Sequence, residues 1–275
     1  DRTRWGSFDE LRQNTDVDAL AILKEAEAKK KLDPKSDQAK AVNLYKTIFD
    51  TVTRNKQGIT PLKPYLAKIN AVKNVKDMQA LMTEMEPYGG IGFFGTNIGS
   101  DSKNSNRNVV SVGPGRLGLP DRDYYVSDDA DSKEKKAKYE LHVAKMLQYL
   151  GEKPADAKKD AARVVAIETV MAQPRLDRVE RRDRRKSYNP MTVADLRKLV
   201  PSFNWDSYLT GVGLPKLDTL IVTQPKYMTA LEQIFKENKV ADWKAYMKWT
   251  LLNQSNSLLS TEVENANFDF YGKTL

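Results

Sequence analysis

The chain has 275 residues, enough to bury a core of its own, and its 40% hydrophobic and 30% charged residues are ordinary for a globular protein. It contains no cysteine, which excludes disulfides, thiol nucleophiles and thiolate zinc sites, and its one histidine, His142, excludes a zinc site built from paired histidines. A net charge of +8 raises nucleic acid or an anionic surface as partner, and no apolar run approaches the roughly 20 residues of a membrane span.

The first residue is Asp1 rather than methionine, so the sequence reads as a segment of something longer; no signal peptide is visible within it, and a start at Asp1 is compatible with one lost upstream. Helical signals dominate. Ser7 and Glu10 have the spacing of a capping box. The helix from Phe8 is expected to break at Asn14-Thr15-Asp16 and resume to about Lys31. Ser36 opens a second helix with Val42, Tyr45, Ile48, Phe49 and Val52 on one face, ended by Gly58. Thr60-Pro61 starts a third, and a fourth covers about Val75 to Glu86. The stretch IGFFGTNIGSDSKNSNRNVVSVG, near 91–113, predicts a β-hairpin with a longish loop over Asp101 to Asn106. Helices resume over about Asp131 to Leu150 and Pro154 to about Arg185, disturbed at Pro174. Further ones are expected near 192–200, 226–237 and 240–263, and TLIVTQ (219–224) fits a short strand. The fold class is mainly α, with a small β element.

His142 lies beside the stripe Tyr139, Val143, Met146 and Leu150, which predicts an ordinary histidine of a helix surface or boundary. The densest basic run, RRDRRK (181–186), belongs to a stretch with seven bases against three acids between Arg175 and Lys186. It lacks the interleaved aromatics of a nucleic-acid surface, and Asp177–Arg181 and Glu180–Arg184 have the i,i+4 spacing of helix pairs. Nucleic acid is therefore not an expected partner. GPGRLGLPDRDYY (113–125) is a glycine- and proline-rich connector that Tyr124 and Tyr125 plug onto a core; its glycine spacing fits no phosphate cradle.

These strings, in this order, carry a resemblance. RTRWGSFDELR, RLGLPDRDYY, IETVMAQ, RRDRRKSYNPMT, FNWDSYL, VTQPKYM, WKAYMKWTLL and NFDFYGKTL together resemble the neprilysin and endothelin-converting-enzyme family of zinc metallopeptidases, including its bacterial oligopeptidases, from Arg4 to Leu275. The resemblance implies that residues 1–275 are the N-terminal, helical, substrate-enclosing domain of a two-lobed enzyme. The zinc-bearing lobe, with its HExxH, lies outside this chain. It implies cleavage of short peptides on the amino side of hydrophobic residues, with zinc in the intact enzyme, none bound by this piece, and no catalytic residue here. The expected partners are short peptides and the protein's own catalytic domain. The absence of cysteine points to a bacterial member, periplasmic, envelope-associated or secreted, with the cytoplasm as the alternative.

By the same resemblance Arg4 binds the free C-terminal carboxylate of the peptide, and Arg12 contributes to that pocket. The chemistry is sound by itself: a guanidinium fork grips a carboxylate through two charge-assisted hydrogen bonds, and a helix start adds a positive dipole end. Arg2 matches no binding position and reads as surface. The alternative is a non-catalytic helical peptide-binding module.

Overall fold

The structure, a computed structural model, describes residues 5–29 and 31–275; Arg2 and Arg4 lie outside the described residues. The chain divides into two compact units, Asp1–Gln57 and Gly58–Leu275.

The first unit holds α1 (Ser7–Ala28), α2 (Asp37–Phe49) and α3 (Thr51–Gln57). The expected capping box is shifted by one residue: Gly6 is the cap, and its N–H donates to Asp9 Oδ2 at 3.0 Å. The expected break at 14–16 is absent. Thr15 turns its hydroxyl back onto Leu11 O at 2.8 Å, so the polar trio is accommodated within an unbroken helix. Ser36 caps α2 as expected, accepting from Ala39 N at 3.1 Å. The helix expected to run on to Gly58 instead stops at Asp50, whose carboxylate accepts from Thr53 N at 2.9 Å and from the Thr53 hydroxyl at 2.6 Å. A strong capping residue has thus divided it. Burial is sparse: among the described residues of this unit Ala26, Ala39, Val42 and Arg54 are buried, while Phe8 is 88% and Val52 79% exposed.

In the second unit a 3-10 turn, Thr60–Leu62, leads into α4 (Lys63–Ala71) and α5 (Val75–Met85), the latter capped by Asn74. Strands β1 (Phe94–Asp101) and β2 (Asn104–Pro114) form the expected hairpin. Its turn is tighter than expected because buried Asp101 accepts from Lys103 N at 2.9 Å, from Arg107 at 2.7 and 2.9 Å, and from the Tyr188 hydroxyl at 2.9 Å. The chain continues through α6 (Asp123–Val126), α7 (Ala130–Tyr149), α8 (Pro154–Ala172), α9 (Arg184–Ser187), β3 (Asn189–Thr192), α10 (Val193–Leu199), α11 (Trp205–Gly211), β4 (Thr219–Val222), α12 (Pro225–Glu237), α13 (Val240–Ser255) and α14 (Thr261–Phe268), and closes on a π-helical turn, Asp269–Thr274. The fold is mainly helical, as expected, with one four-stranded sheet ordered β1-β2-β4-β3. Strand β4 is the expected TLIV; β3 was not foreseen, and it carries Pro190 at the sheet's edge, where a missing donor is tolerated.

Two expected helices are shorter. The one expected to reach Arg185 ends at Ala172, two residues before Pro174, whose ring disfavours helix in the residue before it. The i,i+4 pairs predicted within the basic run therefore do not form. Asp177 accepts from Val179 N and Glu180 N, Lys186 pairs with Glu180 at 2.8 Å, and Arg178 and Arg181 both reach Asp121. The helix expected over 240–263 breaks at a 3-10 turn, Asn256–Leu258. His142 corrects its sequence reading: it is 6% exposed, stacked on Phe270 at 4.6 Å and 10°, with Trp249 edge-on at 5.7 Å. Helix α8 packs on α7, α12 and α13, and the core gathers Phe93, Tyr139, Trp205, Tyr246 and Trp249.

Candidate functional site

The loop after β2 is tied down over its whole length. Gly115 donates to Phe93 O at 3.0 Å and runs so close to that segment that a side-chain Cβ would lie 2.6–2.7 Å from the backbone of Gly92 and Phe93. Tyr246 donates to Arg116 O at 2.8 Å, and Tyr271 to Gly118 O at 2.9 Å. Gly118 abuts the hydroxyl end of Tyr139, with no room for a side chain. The connector is rigid because other elements hold its backbone.

Beneath it is the carboxylate of Glu168, 1% exposed. Oε1 accepts from Gly118 N at 3.1 Å; Oε2 accepts from the Tyr125 hydroxyl at 2.7 Å and the Tyr139 hydroxyl at 2.8 Å. Tyr125 in turn accepts from Leu119 N at 2.8 Å, so it serves as the plug expected of it. Burial raises the Glu168 carboxyl to about 7, although three donors and the nearby Arg175 all favour its charged form. Burial also holds both tyrosines well above their ordinary range.

Above Glu168 opens a cavity of about 380 Å³. Among the described residues its wall carries four arginines, Arg116, Arg122, Arg175 and Arg181, against two acids, Asp121 and Glu168. Arg175 donates to Met171 O and Gly115 O at 3.0 and 2.8 Å and covers the Tyr227 ring. Arg122 reaches Ala172 O and Gln173 O at 3.4 and 3.3 Å, and Arg181 is bound to Asp121. The guanidinium of Arg116 is exposed and has no hydrogen bond or ion pair among the described residues. Arg116 and Glu168 lie within RLGLPDRDYY and IETVMAQ, and the sequence pattern assigns neither a role. The available signal is a lone acid in the helix segment IETVMA, whose other residues are apolar apart from Thr169.

Of the sequence-predicted site residues, Arg12 lies on α1, exposed, and makes no ion pair with Asp16 or any other described residue. Arg4 lies outside the described residues. Among the described residues no three histidine, aspartate or glutamate side chains come together as a metal site, and His142 is enclosed by aromatic rings, so the side chains here do not fit a zinc ion. No described helix is long and apolar enough to cross a membrane.

A family model, the N-terminal model of Peptidase family M13, matches residues 1–275. The chain belongs to peptidase family M13. Endothelin-converting enzyme 1 of Mus musculus is 25% identical over 281 residues, covering 98% of this chain and 36% of the relative. A crystal structure of Mycobacterium tuberculosis zinc metalloprotease Zmp1 in complex with an inhibitor is 29% identical, with a TM-score of 0.91 over all of this chain and 42% of that one. PepO of Lactobacillus rhamnosis has a TM-score of 0.77 at 15% identity, covering 93% of this chain and 41% of that one, a likeness of fold alone. The M13 chain thus spans less than half the length of the relatives it matches.

Proposed function

We propose that residues 1–275 form the substrate-enclosing lobe of a bacterial M13 zinc endopeptidase that cleaves short peptides on the amino side of hydrophobic residues. The observation that carries this reading is the match of the whole chain to less than half of a zinc metalloprotease with an inhibitor bound. In this division of labour zinc and catalysis belong to a second lobe, and this one encloses the peptide in a chamber. The apolar side chains of Phe8, Leu11 and Ile22, exposed on α1, suit a lobe that closes against another protein surface. A periplasmic, envelope-associated or secreted location goes with this reading.

Within it, Arg4 grips the C-terminal carboxylate of the peptide and Arg12 assists. Arg12 is free to do so, since it makes no ion pair among the described residues. In the intact enzyme, Arg4→Ala is expected to lower kcat/KM for peptides with a free C-terminus by about 5- to 150-fold, the equivalent of about 1–3 kcal/mol for a lost charged hydrogen bond. Peptides amidated at that end should be unaffected, and an equal loss on both would contradict the role. Residues 1–275 alone are expected to show no chelator-sensitive peptide cleavage; such cleavage by the purified chain would overturn the division between lobes.

A further inference from the structure

We propose that the cavity above Glu168 is a second anion site, at which Arg116 binds one carboxylate of a peptide. Three of the four arginines in its wall are engaged, two of them on backbone carbonyls and the third on Asp121. Among the described residues of the wall, Arg116 is the arginine without a hydrogen bond or ion pair. It stands where two cavities meet, since Gly115, Arg116 and Thr250 also line a neighbouring one of about 330 Å³. The acid of that neighbour, Glu86, is bonded through Oε1 to Thr96 N at 3.2 Å and to the Thr96 hydroxyl at 2.5 Å, and does not pair with Arg116.

The unoccupied donor fork selects the ligand. A guanidinium fork matches both carboxylate and phosphate. A carboxylate presents two oxygens, which one fork satisfies in full, whereas a phosphate presents a third that no other unengaged guanidinium among the described residues of the wall is left to meet. Neutral polar side chains flank the fork: Asn253 and Gln254 line the same cavity, the latter fixed by donation to Gly90 O at 2.6 Å. Such a wall suits a peptide carrying a single carboxylate. That the ligand is a peptide rests on the enclosing-lobe reading; that the site takes a carboxylate does not. The carboxylate has two possible sources, an acidic side chain or a free C-terminus, and the test separates them.

The 275-residue chain is titrated, by calorimetry and by thermal midpoint, with N-acetylglutamate amide for the side chain, N-acetylalanine for the C-terminus, and N-acetylglutamine amide as the uncharged control. At least one carboxylate probe should bind saturably and the control should not; the probe that Arg116→Gln weakens identifies the source, because N-acetylalanine is also a ligand for the Arg4 site. Arg116→Gln should weaken that probe at least tenfold while leaving the ligand-free midpoint unchanged, because the side chain it replaces makes no hydrogen bond or ion pair with a described residue. The proposal is overturned if neither carboxylate binds, if the control binds equally well, or if Arg116→Gln binds as tightly as the parent chain. The titration needs neither zinc nor turnover. It can therefore succeed where the Arg4 experiment fails, and fail where that one succeeds.

Discussion

Glu168→Ala is expected to destabilise the second unit by about 3 kcal/mol, roughly 6–12 °C in thermal midpoint for a unit of this size. The change removes the acceptor shared by Gly118 N–H, Tyr125 and Tyr139, and the two hydroxyls it strands are buried. The same carboxylate should make stability depend on pH. Its folded value, about 7, lies above the ordinary 4.5, so the stability linked to it is complete below pH 4.5 and lost as pH rises through 7. His142 works in the opposite sense. Burial, with a smaller contribution from the charge of Lys145, lowers it from 6.5 to about 4. Its stability is complete above pH 6.5 and lost as pH falls through 4.

Each group is worth about 3 kcal/mol across its window, and between pH 4.5 and 6.5 the two slopes cancel. Denaturant unfolding of the parent chain should therefore be nearly flat over that interval. Glu168→Gln should leave a curve that rises with pH from 4 to 6.5. His142→Phe, which keeps the stack on Phe270, should leave one that falls from 4.5 to 7. Flat curves for both variants would refute the assignment.

Gly115→Ala should cost about 2–4 kcal/mol, because the added methyl meets backbone rather than a flexible side chain. Its Cβ would sit 2.6 Å from the Phe93 carbonyl carbon and 2.7 Å from the oxygens of Gly92 and Phe93. Relief requires β2 and the Gly92–Phe93 segment to part. Gly95→Ala, where a Cβ meets nothing within 4 Å, is the control, expected to stay within about 1 kcal/mol. Comparable midpoints for the two variants would show that the close approach is not maintained in solution.

Elements marked by local chemistry were legible in the sequence. Ser36 announced α2, and apolar strands around a polar turn announced the hairpin; Pro174 was visible as a disturbance, but the helix ends at Ala172 rather than continuing to Arg185. Features that depend on distant partners were not. Nothing near His142 in the chain reveals that Phe270 will stack on it, and nothing near RRDRRK reveals that Asp121 will claim Arg181 from 60 residues away. The break at Asp50 has a local cause, a capping aspartate, but the apolar stripe that runs across it points to one continuous helix. Of the site, Arg4 and Arg12 came from resemblance to a family; Arg116 and Glu168 emerged only when the fold placed one above the other around a common cavity.

The clasp on Asp121 matters beyond charge pairing. Arg178 at 3.0 Å and Arg181 beside it fasten the far foot of the segment 115–121, as the Gly115 backbone fastens the near one. Arg116 therefore rides on an arch anchored at both feet. A peptide arriving there would find a perch already in position, and little of its binding energy would be lost to ordering the backbone.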